Sequence, residues 1–141
     1  MKEFGLIYPM SAMVILTFVV LVALFRSRLE SVSSGKVSAS HFKIYEGEAE
    51  PASSIKLSRH FANIFEAPTL FYVACLAAMV TGQYATALQL LAWMYVVLRS
   101  AHAYIHTGSN RLKPRISVYF SSWIVLLLMW AYLTIGVAVA N

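Results

Sequence analysis

LIYPMSAMVILTFVVLVALF, from Leu6 to Phe25, is a run of apolar and small uncharged residues that decides how the chain is read. A helix rises about 1.5 Å per residue and a bilayer core is about 30 Å thick, so about 20 such residues make one crossing. The run predicts a transmembrane helix that is retained rather than cleaved. It is too long for a leader, it lacks a small-residue cleavage site, and its positive charge, Arg26 and Arg28, follows it. Pro9 lies in the first turns, where its missing N–H does little harm.

At the other end of the chain, Ile116 to Ala140 is also free of charge and long enough to cross. Two shorter apolar runs lie between, Ala67 to Val80 and Tyr84 to Leu98, and each must borrow its neighbours. The second helix then starts near Phe61 and takes in Asn63 and Glu66, while the third runs through Arg99, so both carry polar groups at membrane depth. Helices are expected over about 5–26, 59–81, 84–107 and 114–140, with one long connection over about 27–58. With 60% hydrophobic and 12% charged residues, an ordinary soluble domain is excluded. The short connections make sequential helices antiparallel neighbours. The expected fold is all-α, a single integral membrane domain over 1–141 built as a four-helix up-and-down bundle. Four thin helices enclose little polar volume, so association of subunits is expected as well.

Charge fixes an orientation. Arg26, Arg28, Lys36, Lys43, Lys56 and Arg59 fall in or beside the first connection, and Arg99, Arg111, Lys113 and Arg115 around the third, leaving only Lys2 elsewhere. Both basic connections are therefore expected in the cytoplasm, with the termini and the Thr81 to Gln83 turn outside. The net charge of +5 reflects topology and attraction to anionic lipid head groups, not nucleic-acid binding. A single cysteine, Cys75, allows no intramolecular disulfide and sits among apolar neighbours as packing. The long connection passes from SVSSGKVSAS through HFKIY to EGEAEPASS, which predicts a partly ordered loop folded over the membrane-facing site.

Two stripes carry the chemistry. Arg59, Asn63 and Glu66 stand at i, i+4 and i+7, within roughly 60° of one another at 100° per residue. A carboxylate inside the membrane boundary costs about 2–3.5 kcal/mol, so Glu66 needs a partner, from Arg59, Arg99 or Arg115. One reading is a structural Glu–Arg pair between helices. The other is a site for a zwitterionic or amine-bearing ligand, the carboxylate taking an ammonium, Asn63 offering donor and acceptor, and Arg59 taking an anion. On the third helix Arg99, His102, His106 and Asn110 follow a three-, four- and four-residue spacing along one face. His102 and His106 with Glu66 could hold a metal, but arginines crowd the same level and no metal is expected. After Gly108 and Pro114 come Arg115 and Tyr119, at i and i+4 near the start of the last helix. An arginine there is suited either to snorkelling at the interface or to stabilising an anion such as a thiolate.

RHFANIFEAPTLFY (Arg59 to Tyr72) and RSAHAYIHTGSNRLKPR (Arg99 to Arg115) together resemble the MAPEG family, membrane-associated proteins in eicosanoid and glutathione metabolism. The motifs span Arg59 to Tyr119, and the likeness in topology takes in all four helices. The resemblance implies a homotrimer that binds glutathione between neighbouring subunits near the cytoplasmic face. It further implies that Arg59, Asn63 and Glu66 hold the charged ends of glutathione, that Arg99 and His102 line the same pocket, and that Arg115 activates the thiol. Arg26 or Arg28 resembles a family arginine that takes a glutathione carboxylate. His106 stands where several eukaryotic members have tyrosine and Ile116 where one branch has serine. His106 with Asn110 is more similar to bacterial members, which implies a bacterial inner membrane.

The leading expectation is thus a glutathione-dependent transferase or peroxidase acting on lipophilic electrophiles or hydroperoxides, with glutathione as co-substrate and no metal. The alternative is a non-enzymatic trimeric membrane protein whose stripes serve assembly or bind a lipid head group or other small anion. A metal-dependent membrane enzyme using His102, His106 and Glu66 is a third reading.

Overall fold

The computed structural model of the chain describes residues 5–45 and 50–140, without the side chains of Ile44 and Ala140. Lys2 and the acidic Glu46 and Glu48 of the long connection lie outside the described residues. The elements are α1 (Ile7–Ser33), α2 (His41–Ile44), α3 (Ala52–Ile64), α4 (Ala67–Val80), α5 (Thr86–Thr107) and α6 (Leu112–Ala140). Among the described residues there is no strand. Three helices are long and apolar enough to cross a bilayer, Ile7–Ser33, the α3–α4 stretch Ala52–Val80, and Leu112–Val139, and they make the chain an integral membrane protein. Their outward faces carry Val14, Phe18, Leu76, Phe120, Ile124 and Leu127, all exposed, as a lipid-facing surface requires.

α1 runs two turns past the expected end near residue 26. Charge marks where the chain leaves hydrocarbon, not where a helix stops, and RSRLESVS contains no breaker. The stop comes at Gly35, whose φ of 67° only glycine adopts without penalty; its N–H bonds to the Val32 carbonyl, and Lys36 N–H to that of Ser31. The protruding turns bring Arg28 beneath the long connection. Its guanidinium lies 5.3 Å from the Phe42 ring centre and 5.5 Å from that of Tyr45, and it donates to the Ser58 hydroxyl at 3.4 Å. Val37 is buried in the same segment. The connection therefore packs on α1, through the same arginine that α1 extends to α3.

The second span is not the continuous helix expected over 59–81. It breaks at Phe65 and Glu66, where the bonds shorten to Phe65 N–H on the Ala62 carbonyl and Glu66 N–H on that of Asn63. Pro68 supplies a reason, since it has no N–H for the Ile64 carbonyl and is readily housed in the first turn of a new helix. α5 presents one buried stripe, Leu88, Ala92, Tyr95, Val96, Arg99, His102 and Ala103, at helical spacing. Its apolar half packs on Phe71 of α4, stacked on Tyr95 at 4.6 Å, and on Leu126 and Met129 of α6. α5 makes its most extensive packing with α6. At one end of the molecule the Gln83 amide donates to the Leu133 carbonyl at 3.1 Å. The polar half of the α5 stripe meets α3 and the start of α6 at the opposite end.

Candidate functional site

α3 inserts His60, Asn63 and Ile64 toward α5 while Arg59, one residue from His60 and so about 100° round the helix, is exposed. Asn63 is the hinge of a short polar chain. Its side-chain oxygen accepts from Arg99 Nη2 at 2.8 Å, its backbone carbonyl accepts from the same nitrogen at 3.3 Å, and its amide donates to Glu66 at 3.0 Å. Glu66 thus finds its partner in Asn63 and not directly in Arg59, Arg99 or Arg115, and Asn63 stands between the carboxylate and the Arg99 guanidinium, which is 1% exposed. Arg99 also lies over the Tyr119 ring, 5.8 Å from its centre.

The turn between α5 and α6 sets the other wall. A Cβ at Gly108 would sit 2.8 Å from the Tyr104 carbonyl, so that backbone approach needs glycine. Asn110 then adopts φ 50°, a left-handed conformation that asparagine tolerates, and its side-chain oxygen accepts from Arg115 Nη1 at 2.6 Å. Pro114 lies in the first turn of α6. The Arg115 carbonyl faces His102 Nδ1 at 3.3 Å, and since a carbonyl only accepts, that nitrogen carries the proton and Nε2 keeps the lone pair.

These groups enclose a cavity of about 200 Å³ lined by Asn63, His102, His106, Arg115, Ile116 and Tyr119. Tyr119 is also the first wall of a second hollow, an apolar groove of about 420 Å³ running along α6 past Phe120, Trp123, Ile124 and Leu127. A polar chamber and a lipid-facing groove therefore share one aromatic ring.

Of the residues singled out in the sequence, Asn63, His102, His106, Arg115 and Tyr119 line the chamber, Arg99 is buried behind it, and Glu66 and Asn110 act on it through Asn63 and Arg115. Arg59 is not among its walls, and neither are Arg26 and Arg28. Arg26 lines a separate hollow with Phe18, Val19, Val22 and Ala23, and Arg28 is engaged by the long connection. No residue of that connection lines the chamber, so the expected cover over the site is not seen among the described residues. Glu66 does not converge with His102 and His106; His60 does. His60 escapes the sequence reading although it lies three residues before Asn63, about 60° away on the same helix face, which was the signal available.

A family model described as MAPEG family matches residues 6–135 of the chain. Comparison with curated proteins and with solved structures found no match.

Proposed function

This chain belongs to the MAPEG family, and from that premise we propose that it is a membrane glutathione-dependent transferase or peroxidase acting on lipophilic electrophiles or hydroperoxides. The observation that carries the reading is the joining of the polar chamber to the apolar groove at Tyr119. A water-soluble thiol and a membrane-dissolved acceptor have adjoining places there, and the bilayer concentrates the second. The thiol of glutathione supplies the nucleophile. Arg115, held by Asn110, offers a positive field to the thiolate, the main catalytic contribution under this reading. Asn63 and Glu66 present acceptors to the peptide's ammonium, and His102 and His106 present ring nitrogens.

At about 200 Å³ the chamber falls below the roughly 300–1,000 Å³ of ordinary small-molecule sites. A tripeptide would extend beyond it, past the exposed Arg59 and Glu66. A homotrimer, in which a neighbouring subunit closes that open side with residues such as Arg26 or Arg28, answers this shortfall. The reading includes α5 as a fourth span, completing a four-helix up-and-down bundle in a bacterial inner membrane, with the basic connections in the cytoplasm.

The test is spectroscopic. Protein in detergent mixed with glutathione should develop thiolate absorbance in the near ultraviolet, and Arg115→Ala should abolish it. Equal absorbance from both proteins would remove Arg115 from the mechanism. Absence of the signal in the wild-type protein, with no thermal stabilisation by glutathione, would favour the non-enzymatic reading, in which the chamber takes a lipid head group or small anion.

A further inference from the structure

We propose that His60, His102 and His106 form a binding site for a first-row divalent cation of the zinc class, whose fourth coordination position opens into the polar chamber. Each ring offers a nitrogen, and these three atoms lie within 4.8 Å of one another. The ring centres stand 5.5, 5.0 and 5.5 Å apart for His60–His102, His60–His106 and His102–His106. Three imidazoles around one tetrahedral ion, with Zn–N bonds of about 2.0–2.1 Å, have ring centres about 5.3 Å apart. The triangle is thus already of the right size, and ring rotation brings the nitrogens to the ion.

Two further observations point to a ligand rather than to packing. His60 is 1% exposed, yet neither of its ring nitrogens has a hydrogen-bond partner, and His106 Nδ1 is likewise buried and unpartnered. Buried polar atoms almost always find partners, so such a concentration of lone pairs in one spot is the pattern a cation would satisfy. His102 meanwhile gives its Nδ1 proton to the Arg115 carbonyl, leaving Nε2 free, the arrangement by which a metal-ligating histidine is oriented. His60 closes the cluster from behind, while His102 and His106 line the chamber, so the open position faces the chamber.

Arg59, Arg99 and Arg115 stand near enough for their charges to act on these rings, and they oppose a bare dication. They favour an ion whose fourth ligand is an anion, such as hydroxide, thiolate or azide, because that ligand offsets their charge. Metal and anion should therefore bind cooperatively. The proposal does not depend on the glutathione reading.

The experiment uses the full chain in detergent, purified without a polyhistidine tag and loaded with Zn²⁺ or Co²⁺. Elemental analysis is expected to give one Zn²⁺ per chain after washing, and Co²⁺ should show the intense visible bands of a tetrahedral site. Azide should shift those bands and tighten Co²⁺ binding several-fold. His60→Ala and His102→Ala should each weaken Zn²⁺ binding at least 100-fold in protein that circular dichroism shows to be folded without metal. Should either variant misfold, protection of wild-type histidines from diethyl pyrocarbonate by Zn²⁺ gives the same answer. Substoichiometric metal in the wild-type protein, octahedral Co²⁺ spectra, or equal affinity in a folded His60→Ala would overturn the site.

Discussion

Replacing Asn63 with alanine should destabilise the protein by about 2 kcal/mol, and the amount can be traced to one buried charge. Arg99 is 1% exposed; Nη2 has two acceptors, both on Asn63, while Nη1 has none. The substitution removes the 2.8 Å bond to the side-chain oxygen and leaves the longer one to the backbone carbonyl. A hydrogen bond to a charged group contributes about 1.5–3 kcal/mol. The Asn63–Glu66 bond is exposed and adds little. In an Arg99→Met background no buried charge is left to satisfy, so the same change should cost under about 0.5 kcal/mol, a coupling of about 1.5–2 kcal/mol. Asn63→Asp, which keeps an acceptor, should recover most of the loss. Reversible unfolding from mild detergent into sodium dodecyl sulfate, followed by helical circular dichroism, measures all five proteins, the wild type included. An equal cost of Asn63→Ala in both backgrounds would refute the assignment of Asn63 as the anchor of Arg99.

Phe71 is fully buried and stacked on Tyr95, so Phe71→Ala should cost about 3–5 kcal/mol in the same assay, and a loss below 1 kcal/mol would contradict that packing. Arg28→Ala removes two ring contacts, of about 0.5–1 kcal/mol each at exposed sites, and should speed proteolysis between residues 34 and 45 several-fold. An unchanged cleavage rate would show that Arg28 does not hold the connection. A methyl group at Gly136 would push the Gln83 amide aside, so Gly136→Ala should break the Gln83–Leu133 bond at a cost of about 1 kcal/mol. The roughly 0.5–1 kcal/mol that alanine gains over glycine inside a helix nearly offsets this, and a net loss above about 2 kcal/mol would show that Gln83 cannot move. Trp123→Ala should raise KM for a lipophilic acceptor while leaving glutathione binding unchanged; a fall in glutathione affinity would detach the groove from the acceptor.

The spans were legible where one physical cause governs them. Hydrocarbon thickness sets the length of an apolar run, and the runs around Leu6–Phe25 and Ile116–Ala140 lie within α1 and α6. The end of α1 was not, because Arg26 and Arg28 report the water boundary while hydrogen bonding continues to Gly35. The polar stripe of the second span was legible only in part. Counting 100° per residue from Arg59 through Glu66 assumes an unbroken helix, and Pro68 is the residue that undermines the assumption. Within α3 the count does align Asn63 with the chamber, but Arg59 points outward and His60 inward, a choice set by packing against α5 that spacing alone leaves open. The α5 stripe was readable as far as His106, since a rigid helix keeps Arg99, His102 and His106 in register; Asn110, counted on the same face, lies past the helix end at Thr107, in the left-handed turn to α6.

The joint at Phe65–Glu66 makes the second span two helices in series. On one side α4 carries Phe71, stacked on Tyr95; on the other α3 packs most heavily on α1 and reaches α5 through Asn63 and Arg99. His60 and Asn63 therefore take their direction from the α1–α3 seam and not from the aromatic stack. Substitutions along that seam should reach the chamber wall sooner than substitutions around Phe71.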